Sequence, residues 1–391
     1  MTFGQIKTQD KAYILPTYGR VDVALVQGKN ARAWDAEGKE YIDFTAGIGV
    51  NALGYSDPEW AAAVADQAGK IQHLCNYYYS PENTALAQAL CQAAGMGKAF
   101  FCNSGAEANE CAIKVARKYG EKRGASQIVT LINSFHGRTL TTLAATGQDG
   151  FHRDFLPLTP GFLYAQAGDL PAIDKLLDGS VCAVLLEMVQ GEGGVIPMEE
   201  AFVQGLAQLC KERDVLLLVD EVQTGIGRTG TFYAYQGYGI EPDVVTTAKG
   251  IAGGLPMGAC LVSKALGDIL TPGQNGSTFG GNPVACAGAR VVVRRVSEPA
   301  FLQSVTEKGA YLKAKLESLP QVEYVRGRGL MLGAKLKDKD AHEVLVRCAG
   351  EGLLILTAKE LVRFLPPLTI PQEDMDQGLA IFQKVLEQET R

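Results

Sequence analysis

Residues Val215 to Gly250 read VLLLVDEVQTGIGRTGTFYAYQGYGIEPDVVTTAKG, and two short runs inside them decide the fold. Val215 to Val219 is continuously apolar and is followed by Asp220. Val244-Val245-Thr246-Thr247 is β-branched throughout and leads to Lys249. Runs this short, with no polar alternation, suit strands buried on both faces. Outward from them, the same signature predicts strands at Ala99–Phe101, Ile128–Ile132, Cys182–Glu187 and Ala259–Val262. Helical periodicity is clearest over Ala106–Tyr119 and Glu199–Arg213. This alternation implies an α/β fold with a mostly parallel central sheet and helices on both faces. Before it, NARAWDAEGKEYIDF reads as a hairpin from Asn30 to Phe44 around an Asp-Ala-Glu-Gly turn. After Pro283, one helical region from Ala285 to Leu319 leads into a smaller α+β part with strands at Val322–Val325 and Met331–Leu336. The expected division is an N-terminal segment (1–50) packing with the small domain, a large ligand-binding α/β domain (51–285) and a small C-terminal α+β domain (286–391).

An open parallel sheet binds its ligand at the carboxyl ends of its strands, which is where Asp220 and Lys249 fall. A carboxylate and an amine converging on one small molecule suit pyridoxal phosphate. The amine forms a Schiff base with the aldehyde, and the acid keeps the pyridine nitrogen protonated so that the ring remains an electron sink. Taken singly, Lys249 reads as a solvated loop lysine, and Asp220 as a helix cap or ion-pair partner.

Composition narrows the alternatives. The chain has 391 residues, 47% hydrophobic and 20% charged, with a net charge of -6. That is ordinary globular composition, and it argues against a nucleic-acid surface, which needs clustered Lys and Arg. Nine cysteines lie scattered in apolar contexts without C-x-x-C, and the four histidines include no H-E-x-x-H. They read as buried hydrophobes in a reducing compartment, with neither a disulfide framework nor a metal site. MTFGQIKTQDKAYILP lacks an apolar signal core, and no run of 18 apolar residues occurs. A cytoplasmic protein without membrane association is the expectation.

Gly225-Ile226-Gly227-Arg228-Thr229-Gly230 matches the dinucleotide fingerprint G-x-G-x-x-G and fails it on context. Five residues, Asp220 to Thr224, separate its first glycine from the strand, and no clear amphipathic helix begins at Phe232. Asp243 precedes its strand, so it stands at the wrong end for a ribose. A better anion site is Asn103-Ser104-Gly105-Ala106-Glu107, between a strand and a helix. There the free amides of Ser104, Gly105 and Ala106 suit a phosphate, and Ser104 also suits an ordinary N-cap.

Nine separated segments carry a resemblance: YIDFTAGIGVNALG, FFCNSGAEANE, SFHGRT, EMVQGEGG, VDEVQTGIGRTG, TTAKG, STFGGNP, RGRGLMLG and RFLPPL. In this order, from about Tyr18 to Pro367, the chain resembles the class III, fold-type-I pyridoxal-phosphate aminotransferases. The resemblance makes Lys249 the Schiff-base residue and the base that moves a proton between the substrate carbon and the cofactor. It pairs Asp220 with the pyridine nitrogen, packs Val222 on one ring face and Phe135 on the other, and gives the phenolic oxygen to Gln223. Thr278 is expected to reach the phosphate of a neighbouring subunit, with Ser277 beside it at the substrate, so a homodimer with shared sites is implied. Two arginines imply two carboxylate sockets. Arg363 is expected to hold the α-carboxylate of glutamate, with Glu187 pairing and masking it, and Arg138 to hold the carboxylate of the other substrate. His136 receives no role. The implied activity transfers the terminal amino group of N-acetylornithine to 2-oxoglutarate. Ornithine, succinylornithine, 4-aminobutyrate and diaminobutyrate are donors served by nearly the same residues. One departure is Gly54-Tyr55-Ser56-Asp57-Pro58, where many relatives carry a Gly-His-x-His-Pro segment near the entrance.

Overall fold

A computed structural model of the chain describes residues 1–388. At its centre lies a seven-stranded sheet, in the order Lys98–Cys102, Gly258–Val262, Val244–Thr247, Leu216–Asp220, Val181–Glu187, Gln127–Leu131 and Phe162–Ala165. Six strands run in one direction. Gly258–Val262 is antiparallel to both of its neighbours. Every residue of Val181–Glu187 and Leu216–Asp220 is buried, as continuous apolar runs require when both faces are covered.

The side-chain period of two sorts these strands onto two helical layers. Leu216 and Leu218 join the cluster of Cys111, Ala112, Val115 and Ala116 from the helix Gly105–Gly120. Leu217 and Val219 face the opposite way, into the cluster with Phe202, Val203 and Leu206 of the helix Glu200–Arg213. Both helices match their expected spans to within a residue or two. Register then sets Asp220 beside Glu187 on one side and Thr246 on the other, so the polar residues collect at one sheet edge.

The long helical region expected over Ala285–Leu319 is two helices, Pro283–Val296 and Pro299–Glu317. Pro299 explains the break. It has no N–H to donate and forces the residue before it out of helical geometry, and Glu298 is extended at φ -68°, ψ 126°. Beyond the second helix an antiparallel sheet joins Val322–Arg328, Met331–Leu336, Leu361–Phe364 and Leu356–Ala358. The N-terminal hairpin is present as Arg32–Asp35 and Glu40–Asp43. It gains an outer strand, Leu25–Lys29, and pairs in parallel with Leu353–Leu354 from the C-terminal part. Among the described residues no helix is long and apolar enough to cross a membrane, and no cluster of His, Cys, Asp and Glu suits a metal ion. All nine cysteines are free.

Candidate active site

Asp220 ends its strand with its side chain in a closed hydrogen-bond network. Oδ2 accepts from Asn109 Nδ2 at 2.7 Å and from His136 Nδ1 at 2.8 Å, while Oδ1 accepts from the Val222 amide at 3.0 Å. Asn109 is fixed in turn: its Nδ2 donates to the His136 carbonyl, and its Oδ1 accepts from Thr246 Oγ1 at 2.7 Å. A carboxylate only 4% exposed needs such donors to offset lost hydration. The contact to Asp220 assigns the imidazole proton to Nδ1, and His136 Nε2 is left buried without a partner. Asn109, His136 and Thr246 were not identified as site residues from the sequence. Helical spacing places Asn109 on the buried face of its helix, where an amide needs a partner, and that is the signal available.

Lys249 follows the Val244–Thr247 strand after Ala248 and opens a single helical turn, Lys249–Ala252, with a left-handed φ of 46°. Such a backbone is strained for a residue with a Cβ, and strain of this kind concentrates at functional sites. Desolvation in the cavity pulls the ammonium below its usual range, against the opposing charges of Asp220 and Glu192. The amine is thereby brought toward its nucleophilic form.

Asp220, Val222, Gln223 and Lys249 line a cavity of about 400 Å³ with Ser104, Gly105, Ala106, Phe135, Arg138 and Glu187. Ser104 Oγ caps the helix Gly105–Gly120 by accepting from the Glu107 amide. The preceding amides of Gly105 and Ala106 lie in the first turn, where the helix offers no carbonyl four residues back, so they suit an anion. Gly105 is required here: a Cβ would stand 2.6 Å from Val222 Cγ1. An amine for an aldehyde, a held carboxylate for a ring nitrogen and a helix N-terminus for a phosphate are the donor set that pyridoxal phosphate needs.

Around Glu192, which also lines the cavity, the structure corrects one assignment. Arg363 is 3% exposed, and its Nη1 donates to Glu192 Oε1 at 2.7 Å and to Gln223 Oε1 at 3.4 Å. Glu192, not Glu187, is its carboxylate partner. Glu187 is held at the end of its strand, where Oε2 accepts from the Phe135 amide at 2.9 Å. Burial, and Asp220 beside it, push the Glu187 carboxyl well above its ordinary range. Burial also pushes on Glu192, but the charge and hydrogen bond of Arg363 hold it lower. The glycines of Gly191-Glu192-Gly193 carried the missed signal. A Cβ at Gly191 would lie 2.3 Å from Gln223 Oε1, and one at Gly193 would lie 2.3 Å from the Asn133 carbonyl. Only a glycine-flanked residue passes so close to the site.

Arg138 is exposed, with its guanidinium 4.2 Å from the Phe151 ring centroid and 5.5 Å from that of Phe135. Phe135 therefore lines the cavity and also supports an arginine. Ser277 and Thr278 do not line the cavity of their own chain. Ser277 Oγ accepts from Asn103 Nδ2 and from the Gly280 amide, both at 3.1 Å, so its hydroxyl is committed to the loop. Thr278 is exposed beside it. The Gly225–Gly230 segment forms turns and opens no helix, in keeping with its failure as a dinucleotide motif.

Comparison with known proteins agrees with this geometry. The family model described as aminotransferase class-III matches residues 13–386. An acetylornithine aminotransferase of Haemophilus ducreyi is 48% identical over 99% of both chains, and that of Aquifex aeolicus is 46% identical over 96% of this chain and 100% of the relative. Among solved structures, N-acetylornithine aminotransferase from Stenotrophomonas maltophilia superimposes with a TM-score of 0.83 at 36% identity, covering 97% of each chain. Ornithine aminotransferase from Toxoplasma gondii superimposes with a TM-score of 0.94 at 30% identity, covering 99% of this chain and 95% of that one. The chain belongs to the class-III aminotransferases, enzymes that depend on pyridoxal phosphate.

Proposed function

We propose that the chain transfers the terminal amino group of N-acetylornithine to 2-oxoglutarate, giving N-acetylglutamate 5-semialdehyde and glutamate, as a step of arginine biosynthesis in the cytoplasm. The observation that carries the reading is the Arg363–Glu192 ion pair: the arginine is buried, and Glu192 lines one cavity with Lys249 and a second arginine, Arg138. When bound, pyridoxal phosphate supplies an aldehyde that accepts the amine and a ring that withdraws electrons from the neighbouring carbon.

The residues divide that work. Asp220 would hold the pyridine nitrogen of the bound cofactor, and His136 and Asn109, hydrogen-bonded to its carboxylate, keep it oriented. With the cofactor bound, Lys249 Nζ would serve as the base that takes the proton from the carbon bearing the transferred amine and delivers it in the return direction. A terminal amine and an α-amine must reach that carbon with their carboxylates at different distances. Arg363 released from Glu192 grips 2-oxoglutarate or glutamate bidentately. Arg363 paired with Glu192 presents no charge to the donor, whose carboxylate turns to Arg138. The names of the relatives support the donor.

The same proposal includes a homodimer with shared sites. In the single chain Tyr77, Tyr79 and Phe279 are 95%, 100% and 62% exposed, and the helix Phe3–Tyr13 buries no residue. So much apolar surface suits a partner copy, to whose phosphate corner Thr278 is assigned. The three-part division at residues 50 and 285 stands with it, supported by the pairing of Glu40–Asp43 with Leu353–Leu354. The test is a half-reaction screen in which donors are added to holoenzyme and loss of the cofactor's aldehyde-form absorbance is followed. N-acetylornithine is expected to convert the cofactor fastest. Rapid conversion by 4-aminobutyrate with none by N-acetylornithine overturns the donor.

A further inference from the structure

Arg228, in the middle of the glycine-rich turn, has no part in the chemistry above, yet it is 2% exposed. Its Nη1 donates to the carbonyl of Leu330 at 3.0 Å and to that of Pro366 at 2.5 Å, and its own carbonyl accepts from the Leu330 amide at 3.0 Å. Burial drives the guanidinium down to about 9, with the buried Asp43 as the opposing charge. It is thus charged at neutral pH and costly to bury, and substitution by an apolar side chain would avoid that cost.

What it touches gives the reason. Met331–Leu336 and Leu361–Phe364 pair antiparallel with Leu332 opposite Phe364, so Leu330 and Pro366 face each other where the pair leaves the sheet. One nitrogen bridges that open end, three residues beyond Arg363. The same turn reaches the tip of Arg363 through Gln223 Oε1 at 3.4 Å. The turn is pressed against its surroundings, since a Cβ at Gly227 would lie 2.6 Å from Val296 Cγ1, and one at Gly329 would lie 2.6 Å from the Arg228 carbonyl. Asp220, at the head of the segment, registers the central sheet, so the segment Asp220–Gly230 touches both the cofactor residues and the backbone that carries Arg363.

We propose that Arg228 is a positioning residue for 2-oxoglutarate: by clamping the Leu330 and Pro366 carbonyls it sets the place of Arg363 relative to Lys249. The inference rests on the reading of Arg363 as the dicarboxylate socket. A bidentate grip tolerates only small misplacement, and about 1 Å costs on the order of 10²-fold.

The experiment uses holoenzyme carrying Arg228→Met, Arg228→Lys or, as control, Arg363→Lys. It measures KM for 2-oxoglutarate, kcat, the affinity for pyridoxal phosphate and the Kd of glutarate, a non-reacting dicarboxylate. Arg228→Met is expected to raise KM and the glutarate Kd together by about 30-fold, with kcat and cofactor affinity within about threefold of wild type. Arg228→Lys, which keeps the charge without the fork, is expected to recover part of the loss. Should Arg228→Met fail to fold, Arg228→Lys carries the test with an expected rise of about fivefold. If the folded Arg228 variants bind glutarate like wild type while Arg363→Lys does not, the inference is overturned and the socket stands. If Arg363→Lys also binds glutarate like wild type, the socket reading falls first.

Discussion

The two ends of the cavity are built differently. At the cofactor end, Asp220, Asn109, His136 and Thr246 come from one sheet and its covering elements, and each hydrogen bond among them measures 2.7 to 2.8 Å. At the carboxylate end, Arg363 belongs to the antiparallel C-terminal sheet, Glu192 to a glycine-flanked loop, and Arg138 stands exposed on two aromatic faces. The first arrangement holds one geometry in place. The second holds an ion pair, and the proposed function has a substrate carboxylate exchange with it, as an enzyme with two unlike substrates requires.

The contrast predicts effects of different kinds and sizes. Lys249→Ala strikes the fixed end, and turnover is expected to fall by on the order of 10⁴-fold with the fold retained, as read by steady-state rates and circular dichroism. Wild-type-like rates would remove Lys249 from the chemistry. Arg363→Lys strikes the exchangeable end. It replaces a fork by a point donor, so KM for 2-oxoglutarate should rise about 10²-fold while cofactor affinity stays put. A loss of cofactor binding in that variant would erase the distinction between the two ends.

Glu192→Gln leaves Arg363 without its countercharge and always open to a carboxylate. Competition between glutamate and N-acetylornithine is then expected to shift about tenfold toward glutamate, and an unchanged ratio would mean that the pair does not switch. The smallest effect is electrostatic and lies behind the fixed end. Burial raises the Glu221 carboxyl from 4.5 to about 7. Its folded value lies above its unfolded one, so the folded chain holds the extra proton between these limits, and the stability it contributes is lost as pH rises from 4.5 through 7. A glutamine side chain at this position would mimic the protonated acid, accepting from the Tyr235 amide as Glu221 Oε1 does at 2.9 Å. Glu221→Gln should therefore flatten the fall in stability across that window, by on the order of 3 kcal/mol, in urea unfolding at several pH values. An unaltered slope would show that Glu221 is ionised throughout.

Legibility followed the same divide. The Asp220 and Lys249 strands were read from runs of apolar and β-branched residues, and register along one sheet then brought their ends together. Ser104 and Gly105 were legible because a strand, a glycine and a helix start are adjacent in sequence. Glu187 was assigned to Arg363 in place of Glu192 because both acids lie in one short segment, and only the turn after Gln190 decides which one faces a residue 171 positions away. Asn109 escaped notice and His136 was left without a role because an Asn on a helix and a His in a loop acquire meaning only from the carboxylate they meet in space. The single long helix failed at Pro299, whose effect on the residue before it outweighs an apolar pattern that continues through it.

The central claim is that Lys249 and Asp220 face one coenzyme. Holoenzyme reduced with borohydride and digested for peptide mass mapping tests it most directly. The expected result is a single pyridoxyl-phosphate modification, on the peptide containing Lys249 and absent from every other lysine. A modification on another lysine, or none on Lys249 in active enzyme, would contradict it.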